Sequence, residues 1–361
     1  MRIGIVSPWN DCCGIAVHAM LLARGLMEEG HDIVVFASRR ERAVGRIPLD
    51  VQDEPFVYRN WDMYAYGDRI EDDAPLDLYF DPEPMLEEDC DVLIFEKPCT
   101  MPLSKMLGVF EDLREEGTTI AIMHEGHNPV NKNFFKMRFH AYCLFDERFL
   151  RLYGDWLPED RTFIIPFPCY PVRDGDVGEA RRILDLPEDK KVLLAFGRRL
   201  GELEEVMPVI SSLEREMGFL LLLMSRHGES VRVGLDLTRK YDFVRFVEAA
   251  PGVEGLYQVI HASDAVLLHR RPARYVAVST TVHLCLGAMR PLVCPDNDFF
   301  ETFDGEIIKY KGIEELKEKI KLAMDEEAVR DVLGKAREFV EKRTPRKIAR
   351  LLIEVVEEVS G

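Results

Sequence analysis

The chain carries the same short pattern twice, and that repetition limits what it can fold into. Arg2 to Ser7 (RIGIVS) is an apolar run, and a loop through Pro8, Asn10, Cys12 and Gly14 follows it. A helical stretch comes next, with Ile15, Ala19, Leu22, Ala23 and Leu26 on one face and a stop at Gly30, leading to a second apolar run, Ile33 to Phe36. Val192 to Phe196, the loop Gly197 to Gly201, a helix from Glu204 to Met217 and the run Phe219 to Met224 repeat the order. Strand, glycine-bearing loop, helix, strand predicts parallel strands joined by crossover helices. The expected fold is α/β, with two facing Rossmann-like domains and a cleft between them. The first loop lacks G-x-G-x-x-G, so a dinucleotide-dependent dehydrogenase is disfavoured. Gly14 either lets the backbone approach a ligand or only permits the turn.

A chain of 361 residues exceeds what one core usually supports. Pro166, Pro168 and Pro171, then the polar Arg173 to Asp176, read as a hinge, and a final helix starts near Thr344-Pro345. The expected units are therefore 1–172, 173–343 and a helix over 344–361. Sixty-five acidic against 47 basic residues give a net charge of -18 and no basic stripe, which argues against a nucleic-acid partner. Eight scattered cysteines without C-x-x-C spacing argue against a disulfide framework or zinc ribbon, and no metal or cofactor is expected. No apolar run is long enough to cross a bilayer and the amino terminus opens on a strand, so a cytoplasmic location is expected.

The stretch Ser263 to Asp296 carries the densest chemistry. Ala265 to Leu268 and Pro291 to Cys294 read as buried strands, with a helix over Ser279 to Ala288 between them. The loop His269 to Val278 then leaves the carboxyl end of a parallel strand, where open α/β sheets hold ligands. It carries His269, Arg270, Arg271 and Arg274, with Ser279 placed to cap the helix and Thr280 and Thr281 in its first turn. Cations and free amides together suit a phosphate; the alternative is a surface loop paired with local carboxylates. Arg198 has the same strand-end position beside Gly197.

In the first half, Thr119 to Met123 delivers His124, Glu125, Gly126 and His127 to a strand end, and His124 is a candidate for substrate contact. H-E-G-H lacks the spacing that would place both histidines on one helical face for a metal. Asn131 to Phe139 (NKNFFKMRF) interleaves Lys132, Lys136 and Arg138 with Phe134, Phe135, Met137 and Phe139. Such a stretch could rest on an anionic membrane; the commoner reading is an amphipathic element with its aromatics in the core. Ser38 to Glu88 shows only irregular connections and one or two strands.

Five stretches taken in order resemble the GT-B glycosyltransferases, most nearly the family-4-like group: the opening MRIGIVSPWNDCCGIAVHAMLLARGLMEEGHDIVVF, IAIMHEGH, IIPFP, KVLLAFGRRL and SDAVLLH. The resemblance implies a nucleotide-diphosphate sugar donor held by the second domain and an acceptor, carbohydrate, lipid or small molecule, held by the first. It also implies retention of configuration and a last helix that returns to the first domain. It places Gly14 near the donor phosphates, Arg198 on the phosphate-binding arginine and His124 by the reacting centre. Departures are visible. The family's lysine after the arginine is replaced by Leu200-Gly201-Glu202-Leu203-Glu204-Glu205, and its paired glutamates fall near Val276 and Leu284. Arg270, Arg271 and Arg274 could restore the missing positive charge. His283 either faces the site or belongs to the core.

Three readings follow: a divergent glycosyltransferase, a non-catalytic binding protein on the same fold, or another GT-B-like enzyme such as a nucleotide-sugar epimerase or pyruvyl transferase.

Overall fold

The computed structural model describes residues 1–40, 47–64, 78–124, 126, 133–273 and 275–360. The strands β1 (Arg2–Ser7), β2 (Asp32–Ser38), β3 (Val57–Trp61), β4 (Val92–Glu96), β5 (Thr118–Ile122), β6 (Ala141–Leu144) and β7 (Thr162–Ile164) form one sheet, in the order β3-β2-β1-β4-β5-β6-β7. The strands β8 (Val192–Phe196), β9 (Leu220–Met224), β10 (Val244–Val247), β11 (Ala265–Leu267), β12 (Leu292–Pro295) and β13 (Ile308–Tyr310) form a second, in the order β10-β9-β8-β11-β12-β13. All these pairings are parallel. The central strands are continuous apolar runs because helices cover both faces; β4 is buried at every residue. In each sheet the strand order reverses beside the first strand, β1 or β8, which opens a crevice at the carboxyl ends.

Element boundaries differ from the sequence-based expectation where local chemistry intervenes. The helix expected from Glu204 begins at Met207, after a 3-10 stretch Leu200–Glu205, because Pro208 fits only a helix's first turn. The segment Ser38 to Glu88 contributes β3 and a short helix Glu83–Glu87. The helix Gly228–Lys240 was not read from sequence, since it buries only a thin stripe including Val233 and Leu237. In the NKNFFKMRF stretch, Phe134, Met137 and Phe139 are core and Phe135 is exposed; Asn131 and Lys132 lie outside the described residues. No helix among the described residues is long and apolar enough to cross a membrane.

The helix α1 (Gly14–Glu28) carries the last helix, Pro345–Ser360, on its outer side. Gly25 allows the approach, as a Cβ there would stand 2.1 Å from the Pro345 carbonyl oxygen. Arg346 and Arg350 both bond Glu29, the latter at 2.8 Å, and hold its carboxyl down to about 2.

Candidate functional site

A cavity of about 550 Å³ lies between the carboxyl edges of the two sheets. The first domain supplies the loop after β1 and one side of α1; the second supplies the loops after β8, β9, β10 and β11. Cys13 stands at the N-cap of α1 in an extended conformation and its Sγ accepts from the Ala16 N–H at 3.4 Å. The first turn of α1 contains no acid, so the positive end of the helix dipole faces the cavity uncompensated by its own residues. The two domains meet closely at Gly14, where a Cβ would lie 2.6 Å from Thr280 Oγ1.

Gly14, Arg198, Arg270, Ser279 and Thr280 all line this cavity. Arg198 is exposed, and no ion pair holds it among the described residues. Arg270 is half-buried, donates to the His269 carbonyl at 2.9 Å, and likewise has no carboxylate within ion-pair distance. Burial pushes its pKa down, partly offset by Glu202. A cation in that situation gains most from an anion that enters the cavity with it.

Other candidates from the same loop sit differently. His269 is buried, with Nδ1 against the Tyr310 hydroxyl and Nε2 at 2.5 Å from Glu205. Arg271 is exposed, and its guanidinium lies 3.3 Å from Glu205 while its N–H donates to Glu202 at 3.1 Å. Neither is among the residues that line the cavity. The carboxylates responsible, Glu202 and Glu205, belong to the stretch that follows β8. Ser279 occupies the N-cap position without a side-chain cap bond, and the helix after it, Thr280–Cys285, has only six residues before a 3-10 turn at Leu286–Ala288. Arg274, Glu125 and His127 lie outside the described residues.

His124 does not line the cavity. Its Nε2 bonds Glu96 at 2.6 Å, and His18 of α1 bonds the other Glu96 oxygen through Nδ1 at 2.7 Å. Burial would raise the Glu96 pKa, but His18 and His124 override it and hold the carboxyl at about 2. Burial pulls His124 down to about 4. An ionised carboxylate thus accepts from two imidazole N–H groups, walled by Phe145 and Phe167. The three side chains are the one potential metal-ligating group among the described residues, with donor atoms all within 4.8 Å. Their present spacing is that of proton-bonded partners. His283 is core, packed on Phe167, Phe303 and Phe339, with Nδ1 bonded to the Ser279 carbonyl at 3.0 Å.

Sequence reasoning missed Glu96, His18 and Arg226. The first two sit inside apolar runs, and the only signal was a charged residue closing the buried strand VLIFE. Arg226 lines the cavity after β9 and is paired with Asp50 of the other domain. Val276 and Leu284, where the resemblance would put carboxylates, are apolar in place: Leu284 lines the cavity, and the Val276 N–H donates to the Gly126 carbonyl across the domains at 3.0 Å.

No family model matches the chain. Solved structures do resemble it along its whole length. Anabaena Alr3699/HepE in complex with UDP-glucose is 12% identical, with 100% of this chain and 99% of that chain covered and a TM-score of 0.68. The pneumococcal O-GlcNAc transferase GtfA in complex with UDP and GlcNAc is 10% identical, with the same coverage and a TM-score of 0.67. Sucrose-phosphate synthase from Thermosynechococcus elongatus is 16% identical over 100% and 99%, with a TM-score of 0.65. At these identities the likeness is one of architecture: the chain has the GT-B fold, two parallel α/β sheets facing each other across a cleft, that those glycosyltransferases share.

Proposed function

We propose that this protein transfers a sugar from a nucleotide-diphosphate donor to an acceptor bound on the side of the first domain. The observation that carries this reading is the pair Arg198 and Arg270. Both line a cavity between facing sheet edges, neither has a carboxylate partner among the described residues, and the amino end of α1 faces them. Charge developing on a leaving diphosphate would be stabilised there without reorganisation of the site. The solved structures of similar fold with UDP or UDP-glucose make uridine nucleotides the first to test.

A second reading, a non-catalytic nucleotide or sugar binder, is favoured by one feature. Val276 and Leu284 leave the donor side without the carboxylates that the resemblance would supply, and Glu96, a buried carboxylate near the cleft, is already fully engaged. Thermal unfolding against UDP, GDP, ADP, CMP and their sugar conjugates separates binding from none. A ligand at 100 times its dissociation constant adds about 2.7 kcal/mol. Stabilisation by one base, followed by product analysis showing a transferred sugar, supports the transferase. Stabilisation with no turnover of any sugar conjugate supports the binder, and an epimerised sugar would assign a different reaction to the same cavity.

A further inference from the structure

The two domains are joined along two edges that differ in exposure. At one, Arg148 bonds Asp146 at 2.7 Å and crosses to the other domain, where it donates to the Ala277 carbonyl at 3.1 Å and to Glu301 at 2.6 Å. Beside it, Gly126 and Val276 meet backbone to backbone, so closely that a Cβ on Gly126 would fall 1.7 Å from the Val276 oxygen. At the other edge, residues 47–54 form a strap over the cavity, with Ile47, Leu49 and Val51 in its lining. Asp50 makes the crossing. Its N–H donates to the Ala250 carbonyl at 2.8 Å, its Oδ2 accepts from the Ala250 N–H at 3.2 Å, and its carboxylate pairs with Arg226.

The strap is held to the first domain on both sides of Asp50, with Arg40 also donating to the Val51 carbonyl at 3.2 Å, and it reaches the second domain through Asp50. Cys12 N–H bonds the Ile47 carbonyl at 2.8 Å, Leu49 N–H bonds the Asn10 carbonyl at 2.7 Å, and Trp9 Nε1 bonds Glu54 at 2.8 Å. The Asp50 and Arg226 side chains are 46% and 45% exposed, and an ion pair so open to water contributes little. The Arg148 side chain, at 12%, is shielded and bonds two groups across the domains, the Ala277 carbonyl and the half-exposed Glu301.

We propose that the strap is the gate of the cavity, with Asp50 as an internal anion that holds Arg226 and the Ala250 amide until a ligand's own anionic group displaces it. Ligand then enters at the strap edge while the Arg148 edge stays closed. The gate follows from the geometry of the two edges; it rests on the transferase reading only for the identity of the ligand.

Cys12 and Cys13 line the cavity beneath the strap, and the other six cysteines are buried, so alkylation of the full chain reads access to the cavity. Burial holds the Cys12 thiol up at about 11, and removing Asp50 could change that value through Arg226. The quantity to follow is therefore the ratio of Cys12 alkylation rates for a bulky maleimide and for iodoacetamide, mapped by mass spectrometry, in which the thiolate fraction cancels. In Asp50→Ala the ratio should rise about tenfold, the effect of losing an exposed ion pair and the hydrogen bond from the Ala250 N–H. An unchanged ratio overturns the gate. A second variant joins Val51→Cys to Gly252→Cys, positions where a Cβ on residue 252 would lie 2.7 Å from Val51 Cγ1 and so within disulfide reach. Oxidised, it should exclude UDP, and reduction should restore binding. Full UDP binding to the oxidised form overturns the gate. If UDP binds neither form nor the parent chain, the nucleotide reading fails, while the alkylation ratio, which involves no nucleotide, still decides the gate.

Discussion

His124 and Arg198 occupy equivalent places, each just past the carboxyl end of a central strand, yet their surroundings are opposite. Around His124 the charges close on themselves: Glu96 is ionised, buried and taken up by His18 and His124, and of the trio's atoms His18 Nε2 is left buried without a hydrogen-bond partner. Around Arg198 and Arg270 the charges are left open, because the carboxylates of the neighbouring stretch are spent elsewhere, Glu202 on Arg199 and the Arg271 N–H and Glu205 on Arg271 and His269. A strand end is thus where a site can be, and incomplete pairing is what distinguishes a site from a structural network. The first region should report through stability and the second through ligand affinity.

Acid should produce the largest effect, and the closed region contributes to it through His124. Burial holds His124 and His283 at about 4 against an ordinary value of 6.5. The unfolded chain therefore takes up both protons as pH falls below 6.5, while the folded chain stays neutral there until about 4. Stability is full above 6.5 and is lost between 6.5 and 4, by on the order of 3 kcal/mol for each histidine. Urea midpoints measured from pH 7.5 to 4.5 should fall steadily. A flat profile would mean that these histidines are protonated in the fold and that the first region is not closed.

Glu96→Ala comes next. It leaves two buried imidazoles without their acceptor, and breaking a buried charge network from one side costs about 3–5 kcal/mol. The same experiment on Arg198→Ala should move stability by less than about 0.5 kcal/mol, as expected for an exposed side chain without partners. Equal losses for the two variants would erase the contrast.

The contrast was only half legible in the sequence. Periodicity located nearly every strand, because buried parallel strands are unbroken apolar runs, and the strand order placed Arg198 and Arg270 at the crevice. Pairing across the fold was not legible. Glu96 and His18 are separated by β2, β3 and a long irregular stretch, and nothing in VLIFE or in the buried face of α1 announces that they touch. Asp50 met the same obstacle: it belongs to a segment without periodicity, and its partners, Arg226 and Ala250, are brought to it only by the meeting of the two domains. The arginine loop was read as a single cationic patch because sequence cannot say which of its members a distant carboxylate has claimed.

Ligand affinity should sort those members. Arg198→Ala and Arg270→Ala should each weaken UDP binding, measured by calorimetry, by about 1.5–3 kcal/mol for each charged hydrogen bond lost. If both variants bind as the parent does, the open region is not the anion site.

Arg271 gives the smallest and most discriminating effect. Its guanidinium is exposed and lies against Glu205, so Arg271→Ala should change UDP affinity by less than about 1 kcal/mol, although it removes a cation beside the cavity. Glu205→Gln should act in the opposite direction. The amide can still bond His269, but it no longer neutralises Arg271, so a positive charge is released beside Arg270 and affinity should rise by up to about 1 kcal/mol, more at low salt than at high. A loss of affinity in Glu205→Gln would show that the carboxylate positions the loop rather than screening it, and the open region would then depend on its neighbours' pairing as closely as the region around Glu96 does.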